Sequence, residues 1–115
     1  MLWPETAIQE GDLVEISQVD VPPQVITEGK VVVPRAAVMT RVPVGGDVIL
    51  RVLVDEKGGV QGVAVLRGFP RPRSGVDEAC IEAVKQNRYK PAMKDGLGVK
   101  TWITVAKHVF IPAAS

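Results

Sequence analysis

Cysteine is almost missing from this chain of 115 residues: Cys80 stands alone. That excludes an internal disulfide and says nothing firm about compartment. Histidine is as scarce, with only His108. A zinc site normally wants three or four ligands, and no second His or Cys stands at ligand spacing. There is no charge excess either. Lys plus Arg number 14 against 13 Asp plus Glu, so no bulk field steers the chain to nucleic acid or an acidic membrane. No apolar run reaches the ~18 residues of a membrane span. The first residues carry no basic n-region followed by an apolar core, so no signal peptide is expected. No internal repeat or low-complexity tract is visible.

What is present is enough for one domain with one core. At 46% hydrophobic and 23% charged residues, the composition is globular. The stretch Asp47–Pro112 carries the organisation. Val76, Ala79, Cys80, Ala83 and Val84 recur at helical spacing, one apolar stripe on a helix expected over Val76–Arg88. Ser74 can cap it and Asp77 can reach back, in the manner of a capping box. Pro91 cannot continue it. Ahead of the helix, Asp47–Asp55 alternates as a strand. Asp55-Glu56-Lys57-Gly58-Gly59 is a turn, and Val60–Leu66 is a second strand. After the helix, Lys94–Gly98 turns the chain into a long third strand, Val99–Ile111.

The N-terminal third is less patterned. Met1–Gln9 reads as a loose end around Trp3-Pro4. Leu13, Val14 and Ile16 form a short β-prone run that ends before Pro22-Pro23. Gln24–Lys30 reads as linker, Lys30–Val33 as a β-branched run, Arg35–Arg41 as one or two helical turns, and Val42–Gly46 as a loop.

Direction sets the topology. The hairpin makes strands one and two antiparallel, and the helix returns the chain so that strand three runs antiparallel to strand one. The expected fold is α+β, β-β-α-β in two layers, with an antiparallel three-stranded sheet in the order second–first–third on one helix. An extended N-terminal arm precedes it. The long third strand is then a sheet edge, a hazard unless it is covered or used.

Candidate chemistry is sparse. Cys80 lies on the helix stripe as a packed thiol. Asp55 and Glu56 sit at a turn and point apart, so they do not form an acid/base pair. Arg67, Arg71 and Arg73 with Phe69 are a solvated loop rather than a nucleic-acid surface. Gly58-Gly59 and Gly96-x-Gly98 open no helix, unlike a phosphate loop. On the third strand Trp102, Thr104, Ala106, His108 and Phe110 share one face. Thr101, Ile103, Val105, Lys107 and Val109 share the other. Phe110 conflicts with the second set as the core side, and a bulge between Ala106 and His108 would reconcile the two. Trp102 is either a core residue or a partner-facing anchor.

Several passages together resemble the C-terminal domain of the TonB family of energy transducers. They are Val33-Pro34-Arg35-Ala36-Ala37 with the Gly45-Gly46 loop, Val54-Asp55-Glu56-Lys57-Gly58 with its partner strand, and the helix. Arg88-Tyr89-Lys90-Pro91-Ala92, the Gly96 turn and the final strand ending Phe110-Ile111 complete the set. The likeness covers roughly Val31 to Pro112, which sets residues 31–115 as the domain and 1–30 as arm and linker. It implies no enzyme and no cofactor, a periplasmic setting, and capture of the TonB-box peptide of outer-membrane transporters as an added strand. The contact positions it implies are Lys30, Val31, Val32, Val33 and Arg35 on the approach. On the last strand they are Trp102, Ile103, Thr104, Val105, Ala106 and Lys107. A homodimer through the edge strand, without energy transduction, is the alternative. Two departures stand out: the family's N-terminal membrane helix and Pro-rich spacer are missing from this chain, and Asn87 stands where the family often has Trp. Finally, Glu10–Ile16 has the character of such a peptide, acidic residues followed by aliphatic ones. It is expected either to pair with a sheet edge or to remain a loose arm.

Overall fold

The computed structural model of the protein describes residues 7–38, 41–71 and 73–113. In chain order the elements are β1 (Gln24–Thr27), β2 (Val44–Val54), β3 (Val60–Arg67), α1 (Val76–Lys85), β4 (Arg88–Lys90), β5 (Ala92–Lys94), β6 (Leu97–Val99) and β7 (Thr101–Ile111). Two short 3-10 turns, Ile16–Gln18 and Arg35–Val38, complete them. The class is α+β, and the main sheet has the order β3-β2-β7, antiparallel throughout. In the order of the expectation that is second–first–third.

Alternation builds the core. Val48, Leu50, Val52 and Val54 on β2 are fully buried, and with Val76, Cys80 and Val84 of α1 they form one cluster. The stripe read from the sequence is therefore the buried face, since residues three and four apart lie one above the other on a helix. The turn after β2 closes as expected. The Gly58 amide donates to the Asp55 carbonyl at 3.0 Å, and Asp55 Oδ1 accepts from the amides of Lys57 and Gly59, both at 2.9 Å.

Five details differ from the sequence expectation. The strand expected over Val99–Ile111 is divided at Lys100, since Leu97–Val99 turns aside as β6 to pair with β5 and β7 begins at Thr101. Val44–Gly46 is not a loop but the start of β2, paired with Ile111, Phe110 and Val109. Glycine weakens a strand, yet the ladder to β7 supplies partners that local propensity does not foresee. The helix ends at Lys85 rather than Arg88, because Tyr89 is drawn off to donate its amide to the Gly58 carbonyl at 2.8 Å. Ser74 Oγ accepts from the Val76 amide at a long 3.4 Å, but Asp77 does not reach back; its carboxylate takes the Phe69 amide at 2.7 Å. Gln24–Thr27, read as linker, is strand β1 against β4. Trp3-Pro4 and, within the Arg35–Arg41 stretch, Met39-Thr40 lie outside the described residues.

A second, smaller cluster holds Val14, Ala92 and Val99, with Ile8 and Val19 against it. Here the N-terminal arm wraps the β5–β6 hairpin, whose turn is Asp95-Gly96 with both residues at positive φ. Asp20 ties the wrap. Its carboxylate accepts from the Asp95 amide at 2.8 Å and lies 3.5 Å from Lys94 Nζ. The bond from Asp95 first, and then the charge of Lys94, hold the Asp20 carboxyl below its ordinary value of 3.8. A folded value below the unfolded one means a contribution present above 3.8 and lost as pH falls through the folded value. Asp20→Ala is thus expected to speed amide exchange at Met93–Gly96 at neutral pH. Its difference from the parent should vanish in strong acid. A difference that persists there would refute this account of the tie.

Candidate functional site

β7 pairs with β2 without interruption from Val44 opposite Ile111 to Val54 opposite Thr101. The expected bulge between Ala106 and His108 is therefore not present. Phe110 needs none. It lies 60% exposed opposite Gly45, which offers no side chain to displace. Period two then sorts the strand. Ile103, Val105 and Lys107 stand opposite Val52, Leu50 and Val48, on the core side. Trp102, Thr104 and Ala106 stand opposite Leu53, Arg51 and Ile49, on the open side. Lys107 is tolerated on the core side because its amine reaches Glu28, 4.0 Å away, while its stem covers apolar surface. Trp102 belongs to the open face, half-buried, with the Arg51 guanidinium 5.0 Å above its ring. The ring's electron-rich face attracts that cation.

The backbone sorts by the same period. Lys100 turns both its N–H and its C=O away from β2, towards the arm: its amide donates to the Asp12 carbonyl and its carbonyl accepts from the Val14 amide, each at 2.8 Å. Alternation carries the same outward direction to Trp102, Thr104, Ala106, His108 and Phe110. Among the described residues nothing pairs with the outer backbone of these five. The six positions implied on this strand therefore split. Trp102, Thr104 and Ala106 offer outward backbone, while Ile103, Val105 and Lys107 bond to β2 and offer side chains to the core side.

The approach segment sits nearby. Gly29 passes so close to α1 that a Cβ there would overlap the Ala83 carbonyl oxygen. Its amide donates to Asn87 Oδ1 at 2.7 Å, and Asn87 Nδ2 donates to the Tyr89 hydroxyl at 3.0 Å. Val31 and Val33 pack against the main cluster, while Val32 is 72% exposed. Lys30 and Arg35 are exposed, Arg35 opening a 3-10 turn. Glu28 and Lys107 bring this strap to β7, but no backbone bond joins the two among the described residues.

Two concave surfaces flank these elements. One, of about 560 Å³, lies between the arm (Leu13, Ile16) and the pair Arg51–Trp102. The other, of about 430 Å³, runs between Val32, Pro34 and the side of α1 that carries Ala79 and Ala83. Among the described residues no three His, Cys, Asp or Glu groups are placed to hold a metal ion. Cys80 is buried, and burial first, then Asp77, pushes its thiol up. His108 Nδ1 lies 2.7 Å from Asp47 on the exposed surface.

Sequence reasoning noted Asn87 only as a departure from the family pattern and missed its hydrogen bonds to Gly29 and Tyr89. It also overlooked Asp20 and Arg51 as contacts, which depend on partners far along the chain.

A small α+β domain whose last strand turns a row of backbone groups outward, without partners among the described residues, offers an edge on which another chain can pair. The family model for the Gram-negative bacterial TonB protein C-terminal matches residues 34–110, and the chain belongs to that family. A search among curated proteins gave no match. The family is a non-catalytic, periplasmic interaction domain that works with outer-membrane transporters.

Proposed function

We propose that this chain is the peptide-capturing periplasmic domain of a TonB-type energy transducer, with residues 1–30 its arm and linker and residues 31–115 the domain proper. The TonB box of an outer-membrane transporter adds as a strand beside β7. The observation that carries the reading is the row of outward backbone groups from Trp102 to Phe110. Each main-chain bond contributes roughly 0.5–1.5 kcal/mol net, so a few of them suffice for a reversible grip. Alternate side chains of the guest then meet the open face at Trp102 and Thr104, or the strap side at Ile103, Val105 and Lys107. Lys30, Val31, Val32, Val33 and Arg35 line the approach.

Thr104→Pro tests this. An edge strand tolerates proline where its N–H faces outward, so the melting temperature should hardly move. The missing donor and the added ring should weaken TonB-box peptides about tenfold or more, roughly 1.4 kcal/mol. Calorimetric titration of a peptide panel against parent and variant measures it. Unchanged affinity in a folded variant would end the proposal. The same edge also suits a second copy of the chain, giving the dimer without energy transduction. Sedimentation that shows a dimer indifferent to every peptide would favour that reading.

A further inference from the structure

The lane beside β7 is not empty along its whole length. At its start the arm already lies in it. The Gly11 amide donates to the Gly98 carbonyl at 2.9 Å, and Asp12 and Val14 bracket Lys100, so that Leu13 stands opposite Lys100 in parallel. Val14 is buried in the smaller cluster, which fixes this pairing in register. Of the two alternatives the sequence left open for this segment, a paired or a loose arm, it is paired at Lys100, two residues short of the open stretch that starts at Trp102.

The arm cannot slide further. After Val14 it leaves the lane through the turn Ile16–Gln18, where the Gln18 amide donates to the Glu15 carbonyl at 2.8 Å. It is then held again at Met93, whose carbonyl accepts from the amides of Asp20 and Val21 and whose amide donates to the Val21 carbonyl. Suppose the arm zipped on until Ser17 lay opposite Thr104. Met93 is opposite Gly98, so Ser17 would then be roughly 20 Å along the strand from the Asp20 anchor. Three residues reach at most about 11 Å. The second anchor therefore prevents the arm from filling the rest of the lane.

We infer that Gly11–Val14 is a built-in end stop for the added strand. It holds the lane up to Lys100 whether or not a guest is present. A guest peptide pairs only between Trp102 and Phe110, a stretch of roughly 26 Å. Its end nearest the stop places one side chain in the groove walled by Leu13, Ile16, Trp102 and Arg51. The partner that fits is an extended segment with no more than about nine paired residues, set in register by that end. This inference rests on strand addition at β7 as the function.

Amide exchange on the whole chain, with and without the tightest TonB-box peptide of the panel, tests it. The amides of Val14 and Lys100 are expected to be protected in both states. Those of Trp102, Thr104 and Ala106 should gain tenfold or more protection only with peptide. Val14→Pro removes one donor of the stop, and in that variant the peptide footprint should spread back to Lys100. If the peptide instead frees Val14 and Lys100 to exchange, the arm is a displaced competitor and the end stop is wrong. The end stop is equally wrong if Val14→Pro folds and its footprint equals the parent's; if it does not fold, the parent's exchange alone decides. No footprint anywhere on β7 would remove strand addition itself, and the end stop with it.

Discussion

Leu50→Ala is expected to lower stability by about 3–5 kcal/mol and to drop the melting temperature by roughly 12 °C or more. Leu50 heads the fully buried side chains by size. It sits in the middle of the central strand, opposite Val105 on β7 and Val65 on β3. A cavity there lies among strands held on both sides, so the surroundings cannot collapse into it. Transfer loss and cavity cost then add. For a domain whose whole stability is about 5–15 kcal/mol, the change is a large fraction. Urea unfolding measures it. A loss below about 1 kcal/mol would mean that the sheet centre is loosely packed and the assigned core misplaced.

Gly58→Ala is expected to cost about 3 kcal/mol or more, and Gly96→Ala only about 1 kcal/mol. Both glycines hold left-handed backbone, φ +84 and +78, so the conformational cost of a side chain is alike. The surroundings differ. A Cβ on Gly58 would overlap the Tyr89 carbonyl oxygen, whereas nothing lies within 4 Å of one on Gly96. The Gly58 carbonyl also takes the Tyr89 amide at 2.8 Å, so the turn cannot move away without releasing that strand. Tyr89 is buried, and its hydroxyl accepts from Asn87, which in turn holds the strap at Gly29. Damage at Gly58 should therefore travel to the strap, visible as faster exchange of the Gly29 amide. Equal effects of the two substitutions would show that the contact with Tyr89 contributes nothing.

The functional proposals inherit this architecture. Thr104→Pro is informative because Thr104 lies at the border of a sheet whose centre is Leu50. A border position can lose a donor without opening the core. The arm is informative for the opposite reason. Its grip on Lys100 is two backbone bonds and one buried valine, few enough to be undone by a single residue.

Much of this was readable from the chain alone, where periodicity was local. The stripe Val76, Cys80, Ala83, Val84, the alternation Val48, Leu50, Val52, Val54 and the turn at Gly58 each depend on neighbours within a few positions. Side-chain direction repeats every 3.6 or two residues whatever the rest of the molecule does. The strand order followed from direction and from the preference for antiparallel pairs. Tertiary structure alone decided the rest. Gly45-Gly46 became strand because β7 supplied partners from far along the chain. Phe110 stayed outside because it faces a glycine on another strand. Asn87, polar and next to the stripe, was buried because Gly29 and Tyr89 complete its hydrogen bonds. The arm filled one end of the β7 lane and left the other open because Val14 and Asp20 are anchored to different strands. Apart from Tyr89, two residues from Asn87, these partners lie far along the chain from the residues they commit, beyond the reach of any local pattern.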